Sequence, residues 1–322
     1  MKQAPEAYDC IIVGGGPAGL SAALILGRCR RRVLLCDAGR QRNRWSSAMH
    51  GVLSRDGMAP ADFIREARAE LSRYDGVELR DVVVSDVEPV APDFRAVLKD
   101  GAVAESRTLL LATGVVDTLP DIEGVEPLYG RSVHHCPICD GWEHRDQPVA
   151  VYGSPAEAKG LALAMTLWTG DVVLCTNGAA GWDDDARGEL ARAGVRVRED
   201  RVRCLEGTEG RLKRILFHDG EPLERTAMFF AGEQSQGCDL PDRLGCVFTE
   251  KGAVDTGRAE RTQIEGLFVA GDASKDAQLV IVAAAEGAQA AVAINTLLVK
   301  RDHEAREQER EVPGTSERPG GA

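Results

Sequence analysis

Residues 9–39 read DCIIVGGGPAGLSAALILGRCRRRVLLCDAG, in which a β-branched apolar run breaks at glycines, continues as an Ala/Leu stretch, and resumes as VLLCDA. Strand, glycine turn, helix and strand in that order make a βαβ unit with the spacing of a dinucleotide fold. An arginine-rich loop follows from Gly39 to Trp45, and the periodicity then predicts a helix over Pro60–Tyr74, opened by proline. Short strand-like runs come next (VELRDVVVSDV, FRAVLKDG, TLLLATG), separated by turn residues.

A second βαβ pattern spans 148–178, PVAVYGSPAEAKGLALAMTLWTGDVVLCTNG. Hairpin-like strands (VRVREDRVRCLEG, RLKRILFHDGEPL) and TAMFFAG complete it, and GLFVAGDAS with an Ala-rich helix over Leu279–Leu298 returns the chain to its first unit. The pattern predicts an α/β protein: two nested Rossmann-like domains with small antiparallel β insertions. The expected boundaries are 1–116 plus 249–302 for the first domain and 117–248 for the second. From about His303 the chain is charged and then rich in Gly, Pro and Ser, and a disordered tail over 303–322 is expected.

Composition narrows the function. The 322 residues carry a net charge of −12, which disfavours nucleic acid and anionic membranes as partners. The first residues, MKQAPEAYDC, lack an apolar signal core, and no uninterrupted apolar run of spanning length is evident, so a cytoplasmic location is expected. Of 9 cysteines, Cys10, Cys29, Cys36, Cys175, Cys204, Cys238 and Cys246 are scattered, several inside apolar runs, and read as small buried hydrophobes.

Gly14, Gly16 and Gly19 hold the GxGxxG positions after the first strand. The first permits the tight turn, the second lets backbone approach a pyrophosphate, and the third lets helix and strand pack closely. Asp37 ends the next strand where a ribose-binding carboxylate is expected. The remaining cysteines form Cys136-Pro137-Ile138-Cys139. A lone CxxC is weak evidence, but no second one exists to complete a zinc site, and a redox-active dithiol is the better reading beside a nucleotide fold.

With Ala112-Thr113-Gly114 and Gly271-Asp272 ending two later strands, the chain resembles the two-domain flavoprotein disulfide reductases, in which these segments complete an FAD site. The resemblance implies FAD as cofactor, with Asp272 on the ribityl chain. The residues expected around it are Gly14, Gly16, Pro17, Ala18, Gly19, Asp37, Ala38, Arg42, Asn43, His50, Ala112, Thr113, Gly114, Gly271, Asp272 and Gln278. Within that family HHCPICDGWE resembles the thioredoxin reductase active site. It implies that Cys139 faces the flavin, Cys136 exchanges with substrate, and Asp140 moves the proton. A helix-capping carboxylate is the plain alternative for Asp140.

The histidine before Cys136 and the loop SSAMHGVLSRD resemble the dithiol oxidases of gliotoxin- and holomycin-type biosynthesis. That makes His135 a candidate base and places His50 near the flavin, while His134, on the opposite face of an extended chain, reads as structural. Thioredoxin reductases bind NADPH at the second turn, but here Pro155 replaces the middle glycine and Glu157 adds negative charge. The strand ends Cys175-Thr176-Asn177 without arginine, so NADP(H) binding is doubtful.

The leading expectation is therefore an FAD-dependent enzyme that closes a disulfide in a small-molecule or peptide dithiol, with O2 as electron acceptor. A reductase fed by NADPH or another donor is the first alternative, and a flavin redox sensor without turnover the second. Relatives of this kind are homodimers, and a homodimer is expected here.

Overall fold

The computed structural model describes residues 7–275 and 277–311. The chain begins with β1 (Tyr8–Val13), α1 (Pro17–Arg28) and β2 (Val33–Cys36), the βαβ unit expected from the pattern. α2 (Pro60–Leu71) and β3 (Val77–Arg80) follow, then the strands β4 (Val84–Val90), β5 (Asp93–Leu98) and β6 (Val103–Leu111). β3, β2, β1 and β6 pair in parallel, whereas β6, β5 and β4 form an antiparallel meander.

A short strand, β7 (Val115–Asp117), leads out of this unit to the second. There the order is β8 (Val133–His134), α3 (Pro137–Asp140), β9 (Val149–Tyr152), α4 (Pro155–Met165), β10 (Val172–Cys175), α5 (Asp184–Arg192) and β11 (Arg196–Arg198). β12 (Val202–Thr208), β13 (Arg211–Phe217) and β14 (Leu223–Glu224) make the antiparallel insertion, and β15 (Ala227–Phe230) closes a parallel sheet ordered β11-β10-β9-β15-β8. β16 (Gln234–Gln236) runs back antiparallel to β7, so a two-stranded ribbon joins the units. α6 (Leu240–Arg243), β17 (Leu267–Val269) and α7 (Val280–Glu311) finish the first unit, with β17 parallel to β6.

The first sheet is apolar on both faces because both are covered, as its unbroken strands require. Cys10, Ile12, Leu26, Phe268, Ile294 and Leu298 pack between sheet and helices, while Ile11, Leu34, Phe94 and Leu109 fill the other side. Gly287 of α7 lies so close to α1 that an added Cβ would stand 1.9 Å from the Ala18 carbonyl oxygen. Only glycine permits that approach.

Three expectations need correction. Residues 303–311 are not a disordered tail but the last turns of α7, because RDHEAREQERE is built of good helix formers, with a Lys300–Glu304 pair supporting the turn. Residues 312–322 lie outside those described. The return to the first unit also comes before residue 249, since Leu240 and Cys246 are buried in the same cluster as Leu34 and Leu109. Finally, α7 contains a stretch long and apolar enough to cross a membrane by composition, which the sequence reading passed over; its Ala290, Ala291, Ile294 and Leu298 are instead buried in the core of the first unit. Of the scattered cysteines, Cys10, Cys36, Cys175 and Cys246 are buried as expected, whereas Cys29 is exposed.

Candidate active site

The three glycines after β1 play distinct physical roles. Gly14 sits at φ +113°, where an added Cβ would also lie 2.2 Å from the Ala112 oxygen; Gly19 would place a Cβ 1.9 Å from the Gly14 oxygen. Gly16 has nothing within 4 Å of its would-be Cβ. The first and third are therefore needed for packing, and the middle one leaves open a space at the start of α1. Pro17 opens that helix, and its first turn carries neither a capping side chain nor an acid. Its free N–H groups are an anion site of the kind that holds pyrophosphate.

That space belongs to a cavity of about 620 Å³, within the ~300–1,000 Å³ common for ligand sites. Every residue expected around the cofactor lines it except Gly19, which lies behind the turn. The cavity reaches from the glycine turn past Asp37 and Thr113 to Asp272, Gln278 and the cysteines. Asp37 is buried and accepts from the Gly39 N–H (2.9 Å) and from Gln41 (3.0 Å), with Arg68 at 3.2 Å. Thr113 Oγ1 is buried without a hydrogen-bond partner among the described residues. A polar atom stranded against a cavity, an open glycine and an uncapped helix start together fit a dinucleotide, and FAD fits the donor set.

At the far end Cys136 and Cys139 form a disulfide, with Cα atoms 5.3 Å apart. Pro137 starts α3, and Cys136 sits just before it, its sulfur accepting from the Cys139 N–H at 3.1 Å. Ile138, between the cysteines, is 73% exposed. Asp140 follows directly, and its carboxylate lies 3.3 Å from Nδ1 of His134, whose other ring nitrogen is 3.1 Å from Nε2 of His144.

His135 turns the other way, as alternation along an extended strand requires. Arg42 donates to its Nε2 at 3.0 Å, which leaves Nδ1 to carry the proton and donate to the Tyr129 hydroxyl at 3.2 Å. Tyr129 donates in turn to Asp117 at 3.0 Å. Arg42 closes the ring with a two-pronged bond to Asp117 and reaches Asp272 (3.0 Å) and Gln278 (2.6 Å) through Nη1. Both nitrogens of His135 are thus committed, and neither contacts a cysteine. Burial lowers the His135 pKa, partly opposed by the Asp117 charge. Burial alone would raise Asp117, but the Arg42 hydrogen bonds and the nearby charges hold it below the ordinary carboxylate range.

The pairing of His134 with Asp140 is the main feature the sequence reading missed, and Asp117, Tyr129 and His144 were not singled out at all. His50 lines the cavity, 3.6 Å from both Asp56 and Glu143, and so ties the loop after Met49 to the turn behind the cysteines.

The second glycine turn differs from the first. Pro155 and Glu157 occupy the first turn of α4, and the Ser154 hydroxyl donates to the Glu157 carboxylate at 2.8 Å. A carboxylate in the first turn interacts favourably with the positive end of the helix, where a phosphate would otherwise do so. The neighbouring strand offers Arg198, but its guanidinium is bound to Asp200 (2.6 Å) and stacked on Phe217 (4.1 Å).

The model of the pyridine nucleotide-disulphide oxidoreductases matches residues 8–287. The chain belongs to the pyridine nucleotide-disulphide oxidoreductase family. Among curated relatives, the thioredoxin reductase tcpT of Claviceps purpurea is 32% identical over 279 residues, covering 82% of this chain and 86% of its own. The thioredoxin reductase aclD of Aspergillus oryzae is 30% identical over 299 residues, covering 89% and 95%. The crystal structure of HlmI is similar with a TM-score of 0.90 at 36% identity, covering 96% of this chain and 99% of that one. This oxidoreductase is therefore a thioredoxin reductase-like flavoprotein enzyme, as its motifs led one to expect, and FAD is its cofactor.

Proposed function

We propose that this flavoprotein works as a dithiol oxidase, closing a disulfide in a small-molecule or peptide dithiol. The observation that carries the reading is Glu157: it puts a carboxylate in the first turn of the helix toward which a reduced pyridine nucleotide would direct its phosphates, and like charge would repel them. A dithiol supplies its own electrons, so an enzyme that oxidises one needs no such site.

In this reading the substrate thiolate attacks the Cys136 sulfur, Cys139 leaves, and the second substrate sulfur completes the exchange. Asp140 accepts the proton of the attacking thiol. Tyr129, Asp117 and Arg42 hold His135 as a fixed wall of the cavity. Gly14, Gly16, Asp37, Thr113 and Asp272 would hold the FAD, which when bound would supply an acceptor for the electron pair of the cysteine dithiol and a route onward to O2. The exposed Ile138, with Trp142 63% and Trp45 53% exposed, supports an apolar substrate approaching from this side. A homodimer in the cytoplasm is part of the same proposal.

A second reading, reduction of a disulfide by a pyridine nucleotide, is favoured by a cleft of about 390 Å³ that persists beside Gly153 and Pro155. Anaerobic reduction separates the two. Bleaching of the flavin by a dithiol, recovery in air with peroxide release, and no rapid response to micromolar NADPH are expected. Rapid bleaching by NADPH would refute the oxidase reading.

A further inference from the structure

Exchange at the disulfide leaves a proton to dispose of. A dithiol R(SH)2 reacting with the Cys136–Cys139 disulfide gives the cyclic disulfide R(S–S) and two reduced cysteines, moving one electron pair from substrate to enzyme. If one cysteine stays ionised, one proton is left over for each exchange. Asp140, the acceptor beside the cysteines, is only partly exposed, with 21% of its side chain accessible.

Behind Asp140 lies a line of imidazoles. His134 ends β8, is 5% exposed, and packs its ring on Phe229 with centroids 5.3 Å apart. His144, from the short turn Trp142–His144, meets the same phenylalanine edge-on at 5.9 Å. The links are Asp140 to His134 Nδ1 at 3.3 Å and His134 Nε2 to His144 Nε2 at 3.1 Å. His144 does not line the cavity and is only partly buried, and its Nδ1 has no partner among the described residues. Burial, helped by His134, pushes its pKa down to about 4, so it is neutral and can take a proton on one nitrogen while releasing one from the other. Phe229 walls the line from the sheet side.

We propose that Asp140, His134 and His144 form a proton relay between the Cys136–Cys139 disulfide and solvent, running outside the cofactor cavity. The relay rests on the dithiol-exchange reading above. Asp140 takes the thiol proton and passes it to His134 Nδ1; His134 passes its Nε2 proton to His144, which releases its Nδ1 proton to water. His134 and His144 act through Asp140 and are positioning residues, each useful because its two nitrogens face opposite neighbours.

The test uses the anaerobic FAD-loaded enzyme with dithiothreitol. Disulfide opening is followed by alkylation and mass, and proton release by an indicator dye. In the wild type the two should coincide. His144→Ala should slow proton release at least tenfold, the lower range of what a placed acid or base contributes (about 10²–10⁴-fold), and added imidazole should restore it. His134→Gln should slow it similarly without imidazole rescue. A His144→Ala enzyme as fast as wild type, or slow and not restored by imidazole, overturns the relay. If dithiothreitol fails to open the wild-type disulfide, the dithiol reading falls and the relay with it.

Discussion

Glu286 offers the sharpest test of how the cofactor turn is held. It lies on α7, is 6% exposed, and accepts from the Gly271 N–H at 2.8 Å, just before Asp272. Burial pushes its pKa up to about 7 from 4.5, the Gly271 N–H opposes the shift, and Glu260 and Asp272 add to it. The folded chain therefore keeps a proton that the unfolded chain releases, so stability is lost as pH rises from about 4.5 through about 7. A difference of about 2.5 units at ~1.4 kcal/mol each sets a ceiling of about 3 kcal/mol at pH 8. Glu286→Gln removes the titration and keeps an acceptor for Gly271; its buried NH2 costs about 1–3 kcal/mol at every pH. Urea denaturation of the FAD-loaded protein should show wild-type stability falling by about 2 kcal/mol more than the variant's between pH 5 and pH 8. Parallel pH profiles would refute the argument, whatever the variant's absolute stability.

Gly14→Ala, with a Cβ 2.2 Å from the Ala112 oxygen, should lower the melting temperature and lose flavin. Gly16→Ala meets no protein atom and should keep the stability of the flavin-free protein while weakening FAD retention, seen as a lower flavin-to-protein absorbance ratio. Asp117→Asn leaves Arg42 short of its main partner in a pair whose side chains are 5% and 15% exposed, so a loss of about 3–5 kcal/mol in denaturant titration is expected.

The parts of this architecture that could be read from sequence are those fixed by local chemistry. Glycine breaks between apolar runs announce both βαβ units; Gly19 is demanded by its close approach to the nearby Gly14 oxygen and Gly14 by its own φ of +113°, although the Ala112 oxygen that Gly14 meets is distant in sequence. The strand alternation correctly placed His134 and His135 on opposite faces. Which of the two faces meets Asp140 depends on how the chain turns between β8 and α3, and no local pattern encodes that, so the meeting of His134 with Asp140 was not legible. Arg42 and Asp117 are 75 residues apart, and His134 meets Phe229 from the adjacent strand β15; such partners are set by topology. The return of the chain near α6 was hidden for the same reason. Leu240 and Cys246 are too few to form a periodic signal and are apolar only in relation to distant strands.

One side chain has a mechanical consequence. The two units are joined by the ribbon of β7 and β16, and a two-stranded ribbon on its own behaves as a soft torsion bar. Arg42 stands on the first unit, grips Asp117 on the ribbon, and touches His135 on the second. Any twist that carried the cysteines away from the cavity would have to pull a guanidinium off a buried carboxylate while stretching its bond to the imidazole. The guanidinium thus serves as a brace across the ribbon, coupling the stiffness of the joint to the charge state of a single carboxylate.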